Sequence, residues 1–292
     1  MSVRPRGTTA LLAFLLACTM AGASSCGEES EPTFLGKSQI SVEMHGDLPG
    51  VSYEDNYRRS GFDHLLLGQL KDDLKIKTSK PANVSSADRV PDLVNGDTDM
   101  VIAAFSITPP RMEQIDFVGP YATTRQGFLV GKEGKDATKR EDFKGRTVCT
   151  WEGTTSVEAL KELKRVGADL ITLTDASDCV DQLVAGEAYA VSTDQMILYG
   201  FARQHAAEGL RVVPGLTIGA PQHYGIGLAK GHRADCVRLR EFVKDYVDSS
   251  AWIKDFEASV PNLAAEEPNW ISHYKPSAGS IDARSCRDKP ST

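Results

Sequence analysis

The chain has 292 residues, of which 41% are hydrophobic and 25% charged, and its formal net charge is −7. This composition is typical of a globular protein, and the length fits one large domain or two of ordinary size. The negative charge and the lack of a basic tract argue against a nucleic-acid partner and against binding to an anionic membrane surface.

The N-terminal segment predicts an export signal rather than part of the fold. Arg4 and Arg6 precede a short apolar core at residues 11–17, and small residues follow it. This core is too short to cross a bilayer. We therefore expect residues 1–25 to be a signal peptide.

The end of this segment resembles a bacterial lipoprotein signal. Cys26 follows the small residues and precedes a polar, acidic stretch, so we expect it to be the lipid-modified first residue of the mature chain. Cys18 fits the same pattern, but cleavage there would leave an apolar core of only about seven residues. Plain secretion with an incidental Cys26 is the other alternative.

From residue 37 the chain alternates between strand and helix patterns, as the spacing of its apolar residues indicates. Alternation of this kind predicts parallel sheets. In the first half we predict strands at 38–44, 75–79, 99–105 and 127–131, and helices at 62–74, 87–95 and 111–115.

The second half begins after a charged connector at 132–144 and shows the same alternation. The tail at 261–292 has no clear periodicity. Neither GxGxxG nor GxxxxGK[ST] occurs, so both nucleotide-binding fingerprints are excluded. We predict strands at 146–150, 169–173, 188–192, 211–213 and 224–228, and helices at 155–165, 177–185, 195–207, 234–249 and 251–259.

Four cysteines follow the signal segment, and an even number in an exported chain predicts two disulfides. Three pairings are open at this point. No CxxC spacing occurs and the six histidines are scattered, so we expect neither a metal site nor another cofactor. The four are Cys149, Cys179, Cys236 and Cys286.

The apolar run at 100–105 changes abruptly into polar residues, among them Ser106, Thr108 and Arg111. Open α/β sheets bind ligands at the carboxyl ends of their strands. A guanidinium group is well suited to a carboxylate, because it can donate two parallel hydrogen bonds. This segment therefore predicts a site for a small carboxylate-bearing ligand.

Two further strand ends carry polar residues. Thr154 and Thr155 follow Gly153 at a predicted helix start, where free N–H groups favour an anion, although an ordinary N-cap is the alternative. Asp194 ends another strand and is either a helix cap or the counter-ion of an ammonium group. Together with Arg111, these groups are the complement of an α-amino acid.

At this point the chain resembles the family 3 bacterial solute-binding proteins, the receptors of polar amino-acid ABC importers. The resemblance covers residues 37–257 and is strongest to binders of glutamate, aspartate and asparagine. The motifs that carry it, in order, are Gly61-Phe-Asp63, Asp99-Met-Val-Ile-Ala-Ala, Ser106-Ile-Thr-Pro-Pro-Arg111, Asp116-Phe, Pro120-Tyr121, Gly145-Arg-Thr-Val148, Gly153-Thr-Thr-Ser156, Ser192-Thr-Asp194 and Tyr224-Gly-Ile-Gly-Leu228.

The resemblance implies a periplasmic-binding-protein fold of type II, a Venus flytrap in which two α/β lobes are joined by two hinge strands. Residues 26–36 would be a linker. Lobe I would comprise 37–121 and 224–292, and lobe II would comprise 122–223. The hinge strands would cross near 121–125 and 219–223.

This division also implies the disulfide pairing. Cys149 and Cys179 both fall in lobe II, and Cys236 and Cys286 both fall in lobe I. We therefore expect the pairs 149–179 and 236–286.

The resemblance further implies which residues hold the ligand. Arg111 would bind the α-carboxylate, and Asp194 would bind the α-ammonium group. The remaining carboxylate contacts would come from Ser106, from backbone near Phe105 and Thr108, and from Thr154 and Thr155.

The ligand side chain is expected to meet Arg89 and Arg125, which occupy positions where acidic amino-acid binders carry Arg. Glutamate or aspartate is favoured on this basis, with asparagine or glutamine as the alternative. For each arginine an exposed surface position is the other interpretation. Glu152 argues against an acidic ligand unless it points to solvent. His45 and Asp47 lie near the expected pocket without an assigned role.

We therefore predict a monomeric, lipid-anchored extracellular receptor that delivers an amino acid to an ABC permease. Closure of the two lobes on the ligand would be its mechanism. An amino-acid sensor that signals to a membrane partner is the first alternative. A dehydratase-like enzyme on the same fold is the second, but the sequence shows no nucleophile–base pair, so we expect no catalysis.

Overall fold

The computed structural model describes residue 1 and residues 33–288. The predicted signal peptide and both candidate lipidation sites, Cys18 and Cys26, lie outside this range. Within it, no helix has the length and apolar character needed to cross a bilayer.

Twelve strands form two sheets among the described residues. They are β1 (Val42–Met44), β2 (Asp47–Leu48), β3 (Ser52–Asp55), β4 (Arg58–Ser60), β5 (Ala82–Asn83), β6 (Met100–Val101), β7 (Asp116–Val130), β8 (Thr147–Trp151), β9 (Asp169–Leu173), β10 (Ala190–Asp194), β11 (Arg211–Val212) and β12 (Ile218–Leu228).

The large sheet has the order β5-β1-β6-β12-β7-β10-β8-β9, and β11 also pairs with β7. Its two outer groups, β5-β1-β6 and β10-β8-β9, are parallel, as the alternation of elements predicts. The two central strands, β7 and β12, are antiparallel to each other, and each is antiparallel to its other neighbour in the sheet. The prediction of parallel sheets was wrong there.

The strands β7 and β12 are the longest, with 15 and 11 residues. Both predicted hinge segments lie within them. Thr123 pairs with His223 and Thr124 with Gln222, and the register shifts on both sides of this stretch. The lobe boundaries at these positions remain a prediction.

Twelve helices alternate with or follow these strands along the described part of the chain. They are α1 (Phe62–Leu74), α2 (Arg89–Asn95), α3 (Pro109–Met112), α4 (Ser156–Ala159), α5 (Lys161–Lys164), α6 (Ala176–Ala185), α7 (Gln195–Gln204), α8 (Arg233–Asp248), α9 (Ser250–Ser259), α10 (Pro261–Glu266), α11 (Trp270–Tyr274) and α12 (Ala278–Arg284), with 3-10 turns at Lys132–Gly134 and Arg140–Phe143.

The α1 helix confirms its prediction, because Phe62, Leu66 and Leu70 recur at helical spacing and are all buried. The predicted helix at 155–165 is instead broken into α4 and α5. Val157 on α4 is exposed, whereas Leu160 and Leu163 are buried.

One other prediction was wrong, and one sheet was not predicted. No strand forms at 75–79, where only Thr78 makes an isolated bridge to Ile40. The small sheet β2-β3-β4 was missed, because its tight turn lacks glycine. Asn56 and Tyr57 both adopt left-handed φ there, at 48° and 64°, as hairpin turns of this length require.

The part of the tail that the structure describes, 261–288, is more ordered than its sequence pattern predicts. It contributes α10, α11 and α12, and Trp270 stacks on Phe256 with ring centroids 4.7 Å apart. Aromatic packing of this kind stabilises short helices whose own periodicity is weak.

Both disulfides confirm the predicted pairing. Cys149 on β8 joins Cys179 on α6, and Cys236 on α8 joins Cys286 after α12. Their Cα–Cα separations of 5.6 and 5.8 Å are ordinary for disulfides.

Candidate functional site

Residues that end or follow β1, β6, β8 and β10 line a small cavity of about 20 Å³. This is room for one or two water molecules, so a ligand of the size of an amino acid requires the two walls to move apart. Half of the lining comes from 45–111 and half from 151–197. The lining residues are His45, Leu48, Ser86, Arg89, Ala104, Ser106, Arg111, Trp151, Thr154, Thr155, Ser156, Thr193, Asp194 and Ile197.

Arg111 lies on α3, and its guanidinium group spans the cavity. Nη1 donates to the carbonyl of Ser106 at 2.7 Å, and Nη2 donates to the carbonyl of Gly153 at 2.7 Å. The group also lies over the ring of Phe105, 5.1 Å from its centroid. Burial lowers the pKa of Arg111 to about 10, so it is cationic at neutral pH.

Arg89 on α2 approaches the same point, and its guanidinium group also lies over the ring of Phe105, 4.5 Å from the centroid. Its side chain donates to the carbonyls of Ser86, Ala103 and Gly153, at 3.1, 2.8 and 3.2 Å. Burial and the charge of Arg111 hold the pKa of Arg89 well below its usual range, although a guanidinium group remains charged in proteins. Two cations therefore converge on the Gly153 carbonyl.

Asp194 ends β10 and faces these cations. It precedes α7 but makes no side-chain cap, so the interpretation as a helix cap does not hold. Oδ2 accepts from the hydroxyl of Tyr224 at 2.7 Å, whereas Oδ1 is buried without a hydrogen-bond partner among the described residues. Burial raises the pKa of Asp194 to about 7, against the opposing effects of Tyr224, Arg89 and Arg111.

The loop after β8 closes the cavity. Gly153 adopts a φ of +70°, and a Cβ there would lie 2.4 Å from the backbone nitrogen of Ala87, so only glycine fits. Thr154 donates to the carbonyl of Trp151 at 2.8 Å, and the Thr155 hydroxyl accepts from Gln126 at 2.9 Å. Thr155 thus keeps its own hydroxyl hydrogen for a ligand.

His45 and Ser86 also line the cavity, and the sequence had given neither a role. Nε2 of His45 lies 3.2 Å from Oγ of Ser86, and Nδ1 lies 3.7 Å from Oδ1 of Asp47. Burial, Arg89 and Arg59 hold the pKa of His45 well below its usual range, so its imidazole is neutral. Neutral imidazole is a donor at one nitrogen and an acceptor at the other.

Asp47 connects this wall to the opposite one. Its Oδ2 accepts the N–H of Ala176, the first residue of α6, at 3.1 Å. Burial raises the pKa of Asp47, and nearby Asp175 adds to this effect.

Asp63, from the Gly-Phe-Asp motif, lies behind the cavity wall and is hydrogen-bonded to the lining residue Ala104. Its carboxylate accepts from the hydroxyl of Tyr121 and from the N–H of Ala104, each at 2.8 Å. Ala104 has a left-handed φ of 45°, which turns its neighbouring carbonyls toward Arg89. Burial raises the pKa of Asp63 to about 7.

Three predicted ligand contacts do not line the cavity. Phe105 is fully buried, and its carbonyl accepts from Gly225. The carbonyl of Thr108 accepts from Arg111 and from the residue after it. Arg125 is exposed and borders a separate cavity near α11. Glu152 is exposed as well, so it does not oppose an anion in the site.

No group of three or more metal-binding side chains occurs within 33–288. The cavity's own donor set is a pair of guanidinium groups, hydroxyls and one carboxylate, which suits an organic zwitterion better than a metal ion.

Comparison with known proteins also indicates a binding site for a small organic solute. Residues 40–266 match the family described as bacterial extracellular solute-binding proteins, family 3. The glutamate-binding protein GluB of Corynebacterium glutamicum is 31% identical over 242 residues, which cover 77% of this chain and 81% of GluB. A glutamine-binding protein of Geobacillus stearothermophilus is 30% identical over 256 residues, covering 80% and 95%.

Among solved structures, an ancestral arginine-binding protein bound to arginine superimposes with a TM-score of 0.69. It shares 25% identity and covers 76% of this chain and 98% of its own. The fold class predicted from the sequence, two α/β lobes of the type II periplasmic-binding kind, is thereby confirmed.

Proposed function

The chain belongs to the bacterial extracellular solute-binding proteins of family 3 and is an amino-acid receptor for ABC transport, and on this basis we propose that its ligand is glutamate or aspartate. The observation that carries the proposal is the unpartnered Oδ1 of Asp194 opposite Arg111 and Arg89 in one closed cavity.

The α-amino acid group is proposed to lie between Arg111 and Asp194. A buried carboxylate oxygen without a partner costs free energy, and an ammonium group would satisfy it. Arg111 has donor hydrogens beyond those bonded to Ser106 and Gly153, and these would bind the α-carboxylate. The hydroxyl of Thr155 would donate from the opposite wall, whereas the hydroxyl hydrogen of Thr154 is already donated to the carbonyl of Trp151.

The charge balance of the lining favours an acidic side chain. Arg89 and Arg111 are cationic and His45 is neutral, while Asp194, with its pKa of about 7, is the single carboxylate of the lining, so positive charge exceeds negative charge there. The α-groups of any amino acid cancel each other, so only a ligand with a second carboxylate neutralises the cavity. Buried charges are stable when they are balanced.

Arg89 and His45 are the proposed partners of that second carboxylate. Arg125 is left out of the site, because its side chain is exposed at another cavity. The position of Glu152 in solvent removes the objection that the sequence raised against an anionic ligand.

Closure of two lobes is proposed as the mechanism, with lobe I at 37–121 and 224–292 and lobe II at 122–223. Contacts between these parts already surround the cavity, including those of Arg111 with Gly153 and of Asp47 with Ala176. A ligand held by both walls binds the closed form more tightly and therefore shifts the population toward it.

The test is a titration of the purified protein with each common amino acid by thermal shift, followed by calorimetry. We expect glutamate or aspartate to bind with micromolar affinity, equivalent to about −8 kcal/mol. Arg111→Ala should abolish measurable binding. A response to glutamine alone would overturn the acidic ligand while leaving the receptor role in place.

We further propose that Cys26 carries the lipid anchor and that the protein serves an importer as a monomer. Metabolic labelling with a fatty acid tests the anchor, and label that survives Cys26→Ser but is lost in Cys18→Ser would contradict it. Uptake of labelled glutamate should fall when the gene is deleted. Unchanged uptake would favour a sensor.

A further inference from the structure

A second cavity, of about 260 Å³, lies beside the first turn of α1 and against α7. Three of its lining side chains, Arg59, His64 and Arg203, are basic, and none is acidic. The rest of the wall is formed by Gly50, Ser60, Gly61, Leu65, Ala258 and Ser259. No residue of the amino-acid cavity takes part.

Two buried nitrogen atoms in this wall have no hydrogen-bond partner among the described residues: Nε of Arg59 and Nδ1 of His64. The Arg59 side chain is only 4% exposed, and its terminal nitrogens are occupied by the carbonyls of His45 and Pro81, by Asn83 and by Glu54 at 3.1 Å. Buried polar atoms without partners are rare, and a bound ion is one explanation for them.

A second arginine adds to the positive character of the cavity. α1 begins beside it at Gly61, but the N–H groups of Phe62 and Asp63 already donate to the carbonyls of Gly50 and Val51, so the positive charge comes from the side chains. Arg203 on α7 is exposed, and within 33–288 it has no side-chain hydrogen bond or ion pair in the structure.

The walls come from separate parts of the chain that approach very closely. A Cβ on Gly200 of α7 would lie 1.7 Å from the carbonyl oxygen of Pro49, so α7 packs directly on the turn that contains Gly50. In the lobe division predicted from the sequence, Arg203 belongs to lobe II, and Arg59 and His64 belong to lobe I.

We propose that this second cavity binds a small oxyanion of the size of phosphate, held by Arg59, His64 and Arg203, and that the anion bridges the two lobes in their closed arrangement. An anion between cations on both lobes stabilises the arrangement in which those cations are close. By linkage, it then also strengthens amino-acid binding, and this second effect rests on the proposed receptor function.

The experiment is a titration of the full protein with inorganic phosphate at constant ionic strength, kept with sodium gluconate. Histidine ring protons are followed by NMR, and His64→Gln identifies the His64 resonance. We expect a saturable shift at His64 and a rise in its pKa, which burial, Arg59 and Lys71 otherwise lower. Arg203→Ala should weaken phosphate binding about fivefold, the upper range for one exposed ion pair.

Arg165→Ala is the matched control, because Arg165 is also an exposed arginine outside both cavities. Phosphate affinity equal in Arg203→Ala and Arg165→Ala would overturn the proposal, as would the absence of any His64 shift. Tighter binding of acetate than of phosphate would assign the site to a protein carboxylate instead and would also overturn it. Amino-acid binding measured without phosphate tests the receptor function separately.

Discussion

Tyr224 donates a 2.7 Å hydrogen bond to Oδ2 of Asp194 and leaves Oδ1 of the same carboxylate buried and without a partner among the described residues. The two residues come from different strands, β12 and β10, that pair with opposite edges of β7. Tyr224 thus fixes the carboxylate in one orientation and leaves Oδ1 as the oxygen that would accept from a ligand cation.

The first prediction concerns this carboxylate. Asp194→Asn keeps the shape of the side chain but removes its charge, so the ligand ammonium group loses its counter-ion. We expect amino-acid affinity to fall by about 3–5 kcal/mol, the cost of unpairing a buried charge. Calorimetric titration measures it.

Tyr224→Phe is the matched control, since it removes only one hydrogen bond to the carboxylate. We expect this variant to lose about 1.5–3 kcal/mol of amino-acid binding free energy, the value of one hydrogen bond to a charged group. If Asn at position 194 bound the ligand as tightly as the native residue, the assignment of the ammonium site would be wrong.

The second prediction follows from the pKa of Asp194, which burial raises to about 7 from an ordinary value of 3.8. The folded protein holds this proton more tightly than the unfolded chain does. The stability that it contributes is therefore full below a pH of about 4 and is lost as the pH rises through about 7.

Thermal unfolding of the ligand-free protein across this pH range is the measurement. The midpoint of the native protein should fall with rising pH more steeply than that of Asp194→Asn. Saturating ligand should remove the difference, because an ammonium group favours the ionised carboxylate. Parallel profiles for the two proteins would contradict the assigned pKa.

Much of the site could be predicted from the sequence, because polar residues at strand ends are visible as abrupt changes in an apolar pattern. Arg111, Ser106, Thr154 and Asp194 were found in this way, and all four line the cavity. Parallel strands end at one edge of a sheet, so local patterns sufficed to bring distant residues together.

Arg125, which the family resemblance assigned to the ligand side chain, occupies the surface position that was the alternative interpretation. β7 continues through this residue as one strand. Thr124 and Gln126 are buried, so the alternation of a strand turns Arg125 to the other face. A continuous strand would have predicted its exposure.

The role of His45 in the cavity could not have been predicted from the local sequence pattern. Its neutral state depends on burial against Ser86 and on the charges of Arg89 and Arg59, which lie far away in sequence. The helices of the tail depend in the same way on stacking against α9.

The third prediction concerns Asp47, which accepts the N–H of Ala176 at the start of α6 across the cavity. A carboxylate at a helix N-terminus is stabilising by about 0.3–1 kcal/mol, and up to about 2 when partly buried. Asp47→Ala should therefore favour the open arrangement and weaken amino-acid binding about tenfold. Small-angle scattering with and without ligand reports the change of shape.

Asp175→Asn serves as the comparison, because Asp175 is next to the same helix end but repels Asp47. Its removal should leave affinity equal to or higher than native. A loss of affinity in both variants would mean that general charge, rather than this contact, governs closure.

The last prediction compares the two disulfides, which close loops of 30 and 50 residues. The chain-entropy model gives about 4 kcal/mol of stability for each, so replacing either pair with alanine should lower the free energy of unfolding similarly.

The two disulfides should differ in their effect on ligand binding. Cys149 lies on β8, whose last residue, Trp151, lines the cavity, and the loop with Gly153 follows directly. The bond between Cys236 and Cys286 joins α8 to the tail and touches no cavity residue. Denaturant unfolding and calorimetry should therefore show lost stability in both variants, but weaker amino-acid binding only when 149–179 is removed. Equal affinity in the two variants would show that β8 does not need its disulfide to position the loop.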